Sequence, residues 1–310
     1  MKVFVAGATG AIGAPLLRRL LAEGHEVTGM ARSAERAAAV RAAGAEPAVA
    51  DALDADAVMS AVMQAGPDAV VHQLTAMPHR VDPRRILRDF ALTDRLRTDG
   101  TRHLVAAARA VGGARIVAQS IAFAYAPGPP GTVHGEEDPL ITDPPAQFRR
   151  SAAAIAELER TVLAADGLVL RYGYFYGPGT SISAHGSVGV EVARRRLPIV
   201  GGGEGVWSFI HVEDAARATA AALTRGSSGA YNVVDDEPAP VAEWLSVLAE
   251  ALGAKPPRSV PAWLARPLAG EYGLYTMIRA QGAANVRAKA ALQWMPSQAS
   301  WREGFRSALG

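Results

Sequence analysis

The chain has 310 residues, 49% of them hydrophobic, which suits one large or two modest globular domains with a buried core. Its formal charge is only +2, and the basic residues are spread along the chain rather than gathered into a patch for nucleic acid or a membrane, so a small-molecule partner is expected. There is no cysteine, which excludes disulfides, thiolate metal ligands and thiol nucleophiles together.

After Met1 and Lys2 the chain enters an apolar run at Val3, with no basic leader and no apolar span of about 18 residues to follow; the expected compartment is the cytoplasm. Short β-rich runs then alternate with Ala/Leu/Arg segments of helical period. Strands are predicted at Lys2–Ala6, His25–Met30, Ala45–Val49, Ala69–His72, Arg115–Ala118 and Leu168–Arg171. Helices are predicted near Ala11–Glu23, Ala34–Ala43, Ala55–Ala65, Leu96–Val111 and Ala146–Ala165. Ala126 to Pro145 is too rich in proline for helix and reads as a long loop after the fifth strand, of the kind that often lies over an active site. From Tyr172 the alternation becomes irregular, with Gly-rich turns at Gly177–Gly179 and Gly201–Gly205 and a helix from near Val212. A strand is predicted at Tyr231–Val234 and a helix at about Pro238–Leu252, with Asp235, Asp236 and Glu237 placed favourably near its N-terminus. The pattern is that of an α/β doubly wound parallel sheet spanning 1–171, with a smaller, interleaved C-terminal α/β part over 172–310 that binds substrate.

Directly after the first strand stands Gly7-Ala-Thr-Gly10-Ala-Ile-Gly13, opening a helix. The first glycine permits a tight turn, the second lets a pyrophosphate approach the backbone, and the third lets helix and strand pack closely. The helix N-terminus adds N–H donors and partial positive charge. Placed between strand and helix at the start of an alternating chain, the motif specifies a dinucleotide site of the Rossmann type rather than an empty turn, with Thr9, Ala11 and Ile12 between its glycines.

The GxxGxxG spacing resembles the short-chain dehydrogenase/reductase superfamily. Further matches are Asp51 after strand three, Val70-Val-His-Gln-Leu-Thr-Ala76, Gly100-Thr101, Tyr176-Gly-Pro-Gly179, Phe209-Ile-His-Val-Glu-Asp214 and Tyr231-Asn-Val. Together they resemble its extended branch, the NAD-dependent epimerase/dehydratase family. That resemblance implies that Asp51 and Ala52 lie by the adenine, that Leu74, Thr75 and Ala76 line the cofactor, and that Tyr174 and Phe175 lie near the nicotinamide. It also implies a possible homodimer, since many relatives pair through helices of the Rossmann half.

At the end of strand two, where NAD-selective sites carry a carboxylate for the ribose hydroxyl, this chain has Met30-Ala31-Arg32-Ser33. Arg32, Ser33 and Arg36 could hold a 2′-phosphate, which makes NADP(H) the expected cofactor and NAD(H) the alternative; Arg32 otherwise reads as a solvated helix-start residue.

In the family a Tyr-xxx-Lys pair exchanges the substrate proton. Its positions here are Phe148 and Ala152, and neither can carry one; the chain's three lysines, Lys2, Lys255 and Lys289, stand nowhere near the required spacing. The family's serine aligns with Ile121, or with Ser120 after a one-residue shift, and its asparagine with Arg97. Positioned acid–base groups contribute about 10²–10⁴-fold in rate, so the chain either finds another proton source or does different chemistry. Candidates are Tyr125, which could reach a substrate or be an ordinary half-buried tyrosine, Tyr174 with Tyr176, which could equally shape the pocket, and His185 in a Gly-rich loop. Arg97 reads as an oxyanion or carboxylate clamp or, equally, as a structural ion pair. His72 and His211 read as satisfied core residues, and Glu136, Glu137 and Asp138 as a solvated turn. No metal site is expected: His134 with Glu136 and Glu137 lacks the context of a zinc site.

The arginine with which family members grip nucleotide-sugar diphosphates is replaced by Trp207, beside Ser208, so these two are expected to face a smaller, apolar substrate. Leu292–Pro296 and Trp301–Phe305 look like core anchors of the C-terminal part, which also holds Trp263. Three readings result: an NADP-dependent oxidoreductase with a non-standard proton donor, first; a redox-neutral isomerase, lyase or cyclase; and a non-catalytic dinucleotide sensor or partner-binding protein.

Overall fold

The computed structural model describes residues 1–78, 80–82, 85–129 and 131–309, with side chains to Ser307. Its centre is a seven-stranded parallel sheet: β1 (Lys2–Ala6), β2 (Glu26–Ala31), β3 (Glu46–Val49), β4 (Ala69–His72), β5 (Arg115–Ile121), β6 (Leu168–Tyr172) and β7 (Gly229–Val233). The spatial order is β7-β6-β5-β4-β1-β2-β3, so the chain reverses direction across the sheet between β1 and β4, where Rossmann ligands bind. The inner strands are nearly continuous apolar runs, because helices cover both of their faces. On one face α1 (Gly13–Ala22), α2 (Ala34–Ala42) and α6 (Val212–Ala222) pack Leu16, Leu20, Val40 and Ala218 against Val3, Val5 and Val71. On the other, α3 (Ala55–Ala65), α4 (Thr101–Ala110) and α5 (Arg149–Leu163) pack Val58, Leu104 and Leu158 against Phe4 and Val70. Local signals fix the helix ends: Asp54 caps α3 by accepting from Asp56 and Ala57, and Gly66 closes it in the left-handed region.

Each strand and helix expected in the first half is present, with ends moved by a few residues; β5 runs three residues further than its apolar pattern indicated. The helix expected from Leu96 opens instead as a π-helical turn, Leu96–Gly100, before α4 begins. Because β7 comes from the C-terminal half and pairs with β6 from Gly229–Leu168 to Val233–Tyr172, the two parts are interleaved, and the expected boundary at 171/172 falls inside β6.

Beyond the sheet a second cluster gathers Tyr176, Phe209, Trp244, Trp301 and Phe305, drawn from α7 (Val241–Ala251), α9 (Trp301–Leu309) and two short strands. Trp294 and Trp301 are core anchors as expected, whereas Trp263 is 75% exposed at the start of α8 (Ala262–Ile278). Asp235, Asp236 and Glu237 do not sit at a helix N-terminus, since α7 begins only at Val241. Asp236 pairs with Lys289 and Glu237 with Arg302, and so fasten the C-terminal segments. Among the described residues no helix is long and apolar enough to cross a membrane.

Candidate functional site

The glycine loop has the form that its sequence requires. Gly7 sits at φ +92°, and a β-carbon there would stand 2.6 Å from the Gln73 carbonyl oxygen at the end of β4; a β-carbon on Gly13 would strike the Gly7 carbonyl. Gly10 is exposed and meets nothing beyond the Gly7 oxygen at 3.3 Å, so the space over the loop is open for a pyrophosphate at the mouth of α1. A groove of about 370 Å³ runs along it, lined by Thr9, Gly10, Ala11 and Ala14 and, opposite, by Pro178 and Gly179. Ile12 is core: its side chain is buried beneath the loop.

At the end of β2, Arg32 and Arg36 are both exposed, and among the described residues neither is in an ion pair. Arg36 donates from Nη1 to the Thr9 hydroxyl at 2.9 Å, which brings its guanidinium over the glycine loop, while Ser33 caps α2 by accepting from the Arg36 N–H at 3.3 Å. Asp51 is exposed and turns the chain by accepting from Leu53, with the buried Ala52 carbonyl held by His103. Leu74 and Ala76 are half-buried and Thr75 exposed after β4. The Leu74 N–H donates to His72 Nδ1 and the Ala76 N–H to the Thr93 hydroxyl. With Nδ1 an acceptor, the His72 proton lies on Nε2 and is directed to the Thr101 hydroxyl at 3.0 Å; that hydroxyl donates to the Arg97 carbonyl at 2.6 Å. His72 is thus a satisfied core residue, and burial pushes its pKa down to about 4.

The expected proton-transfer positions form one apolar cluster. Ile121, Phe148, Ala152 and Ile155 pack together with Ala124, and the Phe148 ring stacks on Tyr272 of α8 with centroids 4.4 Å apart. The alternative serine, Ser120, is buried and donates to Glu159 at 2.6 Å. Glu159 is in turn the buried partner of Arg171, through two hydrogen bonds of 3.0 and 2.7 Å. Tyr125 belongs to the same network: it is 3% exposed, donates to Asn232 at 2.6 Å and accepts from Arg171 at 2.9 Å. Tyr125 is thereby tied through Arg171 and the stacked His134 to the proline-rich loop. Glu136 is also structural, accepting from the Asn232 N–H, and Glu137 pairs with Arg287, so this turn is more than solvated surface. His134 stacks on Tyr125 and bonds Asp138 and Gln281; among the described residues no group of side chains could hold a metal.

Tyr174 lies between Phe123, at 4.2 Å, and Trp207, at 3.7 Å, in a stacked aromatic ladder. Burial holds its phenol well above the usual range. Trp207 is anchored by donating from Nε1 to the Thr276 carbonyl of α8, at 2.8 Å. Ser208, expected to face substrate, is buried and exchanges hydrogen bonds with the Ala283 backbone instead. Phe175 tilts against Tyr172. Tyr176 is wholly buried among Phe305 and His211, so it belongs to the core. His211 is half-buried and caps α6 by accepting from the Glu213 N–H, rather than being fully enclosed. His185 is exposed just before the short helix Ser187–Ala193.

Residues 3–234 match the NAD dependent epimerase/dehydratase family. The chain belongs to that family. A relative, the 3-diazoavenalumate denitrifying reductase of a Streptomyces species, is 50% identical over 314 residues, covering 98% of this chain and 99% of its own. The UDP-glucose 4-epimerase of Thermus thermophilus, solved in complex with NAD, superposes with a TM-score of 0.75 at 27% identity, covering 99% of this chain and 97% of that one. The same activity from Thermotoga maritima, solved with UDP-glucose, gives 0.78 at 20% identity over 99% and 97%, a likeness of fold.

Tyr272, stacked on Phe148, and Tyr275 of α8 were not singled out in the sequence. They share a face of α8 three residues apart, an aromatic spacing in an uncharged run that was the only available signal.

Proposed function

We propose that this chain is an NADPH-dependent reductase that replaces the diazo nitrogen of a small aromatic acid with hydrogen. The observation that carries the reading is the apolar cluster of Ile121, Phe148 and Ala152 at the family's proton-transfer positions, in a chain 50% identical to a reductase named for removing nitrogen from a diazo compound. The glycine loop, Leu74, Thr75, Ala76 and Phe175 would hold the dinucleotide, with Arg32 and Arg36 favouring the 2′-phosphate. When bound, the reduced nicotinamide supplies a hydride. Loss of dinitrogen takes away the carbon–nitrogen electron pair while a carbon–hydrogen bond forms, so no oxyanion arises and the chain needs no phenol or lysine beside it. What the chain must do is hold a flat ring and keep water out, and the Phe123–Tyr174–Trp207 ladder suits both tasks.

Carbonyl reduction with Tyr272 as the proton donor is the rival chemistry. Burial drives the Tyr272 phenol far above its ordinary range and the Arg97 charge opposes this only in part, which makes it a poor acid.

The test supplies NADPH deuterated at the nicotinamide C4, with an arenediazonium carboxylate. The expected result is deuterium at the former diazo carbon, at a rate well above the protein-free control and with no solvent isotope effect. Absence of label in the arene, or equal reduction of aromatic ketones with a solvent isotope effect, overturns the reading.

A further inference from the structure

Arg97 is 8% exposed, yet its guanidinium makes no hydrogen bond among the described residues. Its nearest counter-charge is Asp94, with Nη1 to Oδ1 at 3.9 Å, too long for a hydrogen bond. The other Asp94 oxygen already accepts from Ser151 at 3.1 Å, and Oδ1 is itself buried without a donor. A buried cation with its fork of donors unused is costly unless an anion completes it. The π-helical turn Leu96–Gly100 holds this arginine, and the Thr101–His72 relay fixes the turn to the end of β4.

Three phenols share this neighbourhood. Tyr272 lies on Phe148, Tyr174 stands in the aromatic ladder, and Tyr275 follows on α8; none of the three hydroxyls has a hydrogen-bond partner among the described residues. Phe123, on which Tyr174 stacks, and Tyr272 pack into the one cluster with Phe148, and Ser151, a turn along the same helix, meets Asp94 beside Arg97, so the groups converge. All three stay protonated, which makes them donors to an anion.

We infer that Arg97, assisted by the Tyr272 hydroxyl, is the binding site for the carboxylate of the substrate, at the position where family members carry an asparagine. The inference rests on the proposed reductase reading and names the substrate class: a flat aromatic or conjugated monocarboxylate. Arg97 and Arg150 lie 3.9 and 3.8 Å from the two Asp94 oxygens, two cations to one carboxylate; that surplus of one, with neutral phenol donors, matches a monoanion, and the planar fork of guanidinium matches a carboxylate edge. A phosphate dianion would leave a charge uncompensated.

The test is equilibrium binding of cinnamate and of methyl cinnamate to the protein loaded with NADP⁺, followed by calorimetry. Wild type is expected to favour the acid by about ten- to hundredfold. Arg97→Gln is expected to abolish that preference, and Arg97→Lys to keep part of it. Equal affinity for acid and ester in wild type, or an undiminished preference in Arg97→Gln, overturns the assignment. Should Arg97→Gln not fold, Tyr272→Phe decides: a severalfold loss for the acid alone is expected, and an equal loss for acid and ester overturns it. Binding needs no turnover, so acid selectivity without diazonium reduction defeats the reductase reading and leaves this site standing. Diazonium reduction that treats acid and ester alike does the reverse.

Discussion

At the start of α5, Phe148 and Ala152 leave two positions without a titrating group, but two others on the helix carry polar side chains inward. Ser151 meets Asp94, and Glu159 meets Arg171 and Ser120. The helix thus keeps a buried network that fastens β6 and the proline-rich loop. These absences were fully legible in the sequence, because a missing lysine can be counted. The aromatic partner of Phe148 was not, because Tyr272 is some 120 positions away along the chain and meets it only through tertiary packing. The bonds of Tyr125 and Ser208 were hidden for a related reason: a hydroxyl looks the same in sequence whether it faces a ligand or bonds Asn232 or the Ala283 backbone. At the other end of the site, Arg36 leans from α2 onto Thr9. Replacing it by alanine is expected to raise KM for NADPH about tenfold, the size of one exposed charge-assisted contact, while leaving KM for NADH unchanged. Steady-state kinetics with both nucleotides checks this, and an equal rise in both would show that Arg36 supports the loop rather than a 2′-phosphate.

Among the elements, α8 departs furthest from what periodicity could reveal. Gly270, at φ +64° and ψ −179°, divides it into two helical arms, and Pro267 lies in the first. A β-carbon at Gly270 would fall 2.5 Å from Gln147 Nε2. The Gln147 oxygen accepts from the Tyr272 N–H at 3.0 Å, so a residue adjoining Phe148 holds the start of the second arm. The kink thereby aims Tyr272 at Phe148. Gly270→Ala combines a left-handed backbone with a collision and is expected to cost about 1–2 kcal/mol of stability. It is also expected to weaken cinnamate binding severalfold without altering NADPH affinity, which calorimetry with each ligand would measure. The π-helical turn at Leu96–Gly100 was hidden in the same way: its residues have ordinary helical periodicity, and the wider turn is visible only in its hydrogen bonds. The glycine loop, by contrast, was legible to the residue, since Gly7 and Gly13 each answer a steric demand that no other side chain meets and Gly10 leaves the space over the loop open.

At the scale of the whole molecule, the doubly wound parallel sheet followed from the alternation of strands and helices and a strand was expected at Tyr231–Val234, while the strand order and the place of β7 beside β6 came only from the structure. Stability as a whole should carry the signature of His72, which joins β4 to α4. Its folded pKa of about 4 lies below the ordinary 6.5, so the unfolded chain binds the extra proton between those values. The stabilisation is complete above pH 6.5 and is lost as the pH falls through that window towards 4, by on the order of 3 kcal/mol for a group so deeply buried. Thermal melting across this range should show a falling Tm, with a shallower slope in His72→Asn; parallel slopes would assign the acid sensitivity to other groups.

The pairing of β7 with β6 also governs how the chain can be made. Until residue 233 leaves the ribosome, the backbone of Leu168–Tyr172 has one rim without its neighbour, so the nascent nucleotide-binding half carries an adhesive edge through the synthesis of some sixty further residues. The late strand acts as a seal, and it ties completion of the early half to arrival of the segment that brings Trp207 and Phe209.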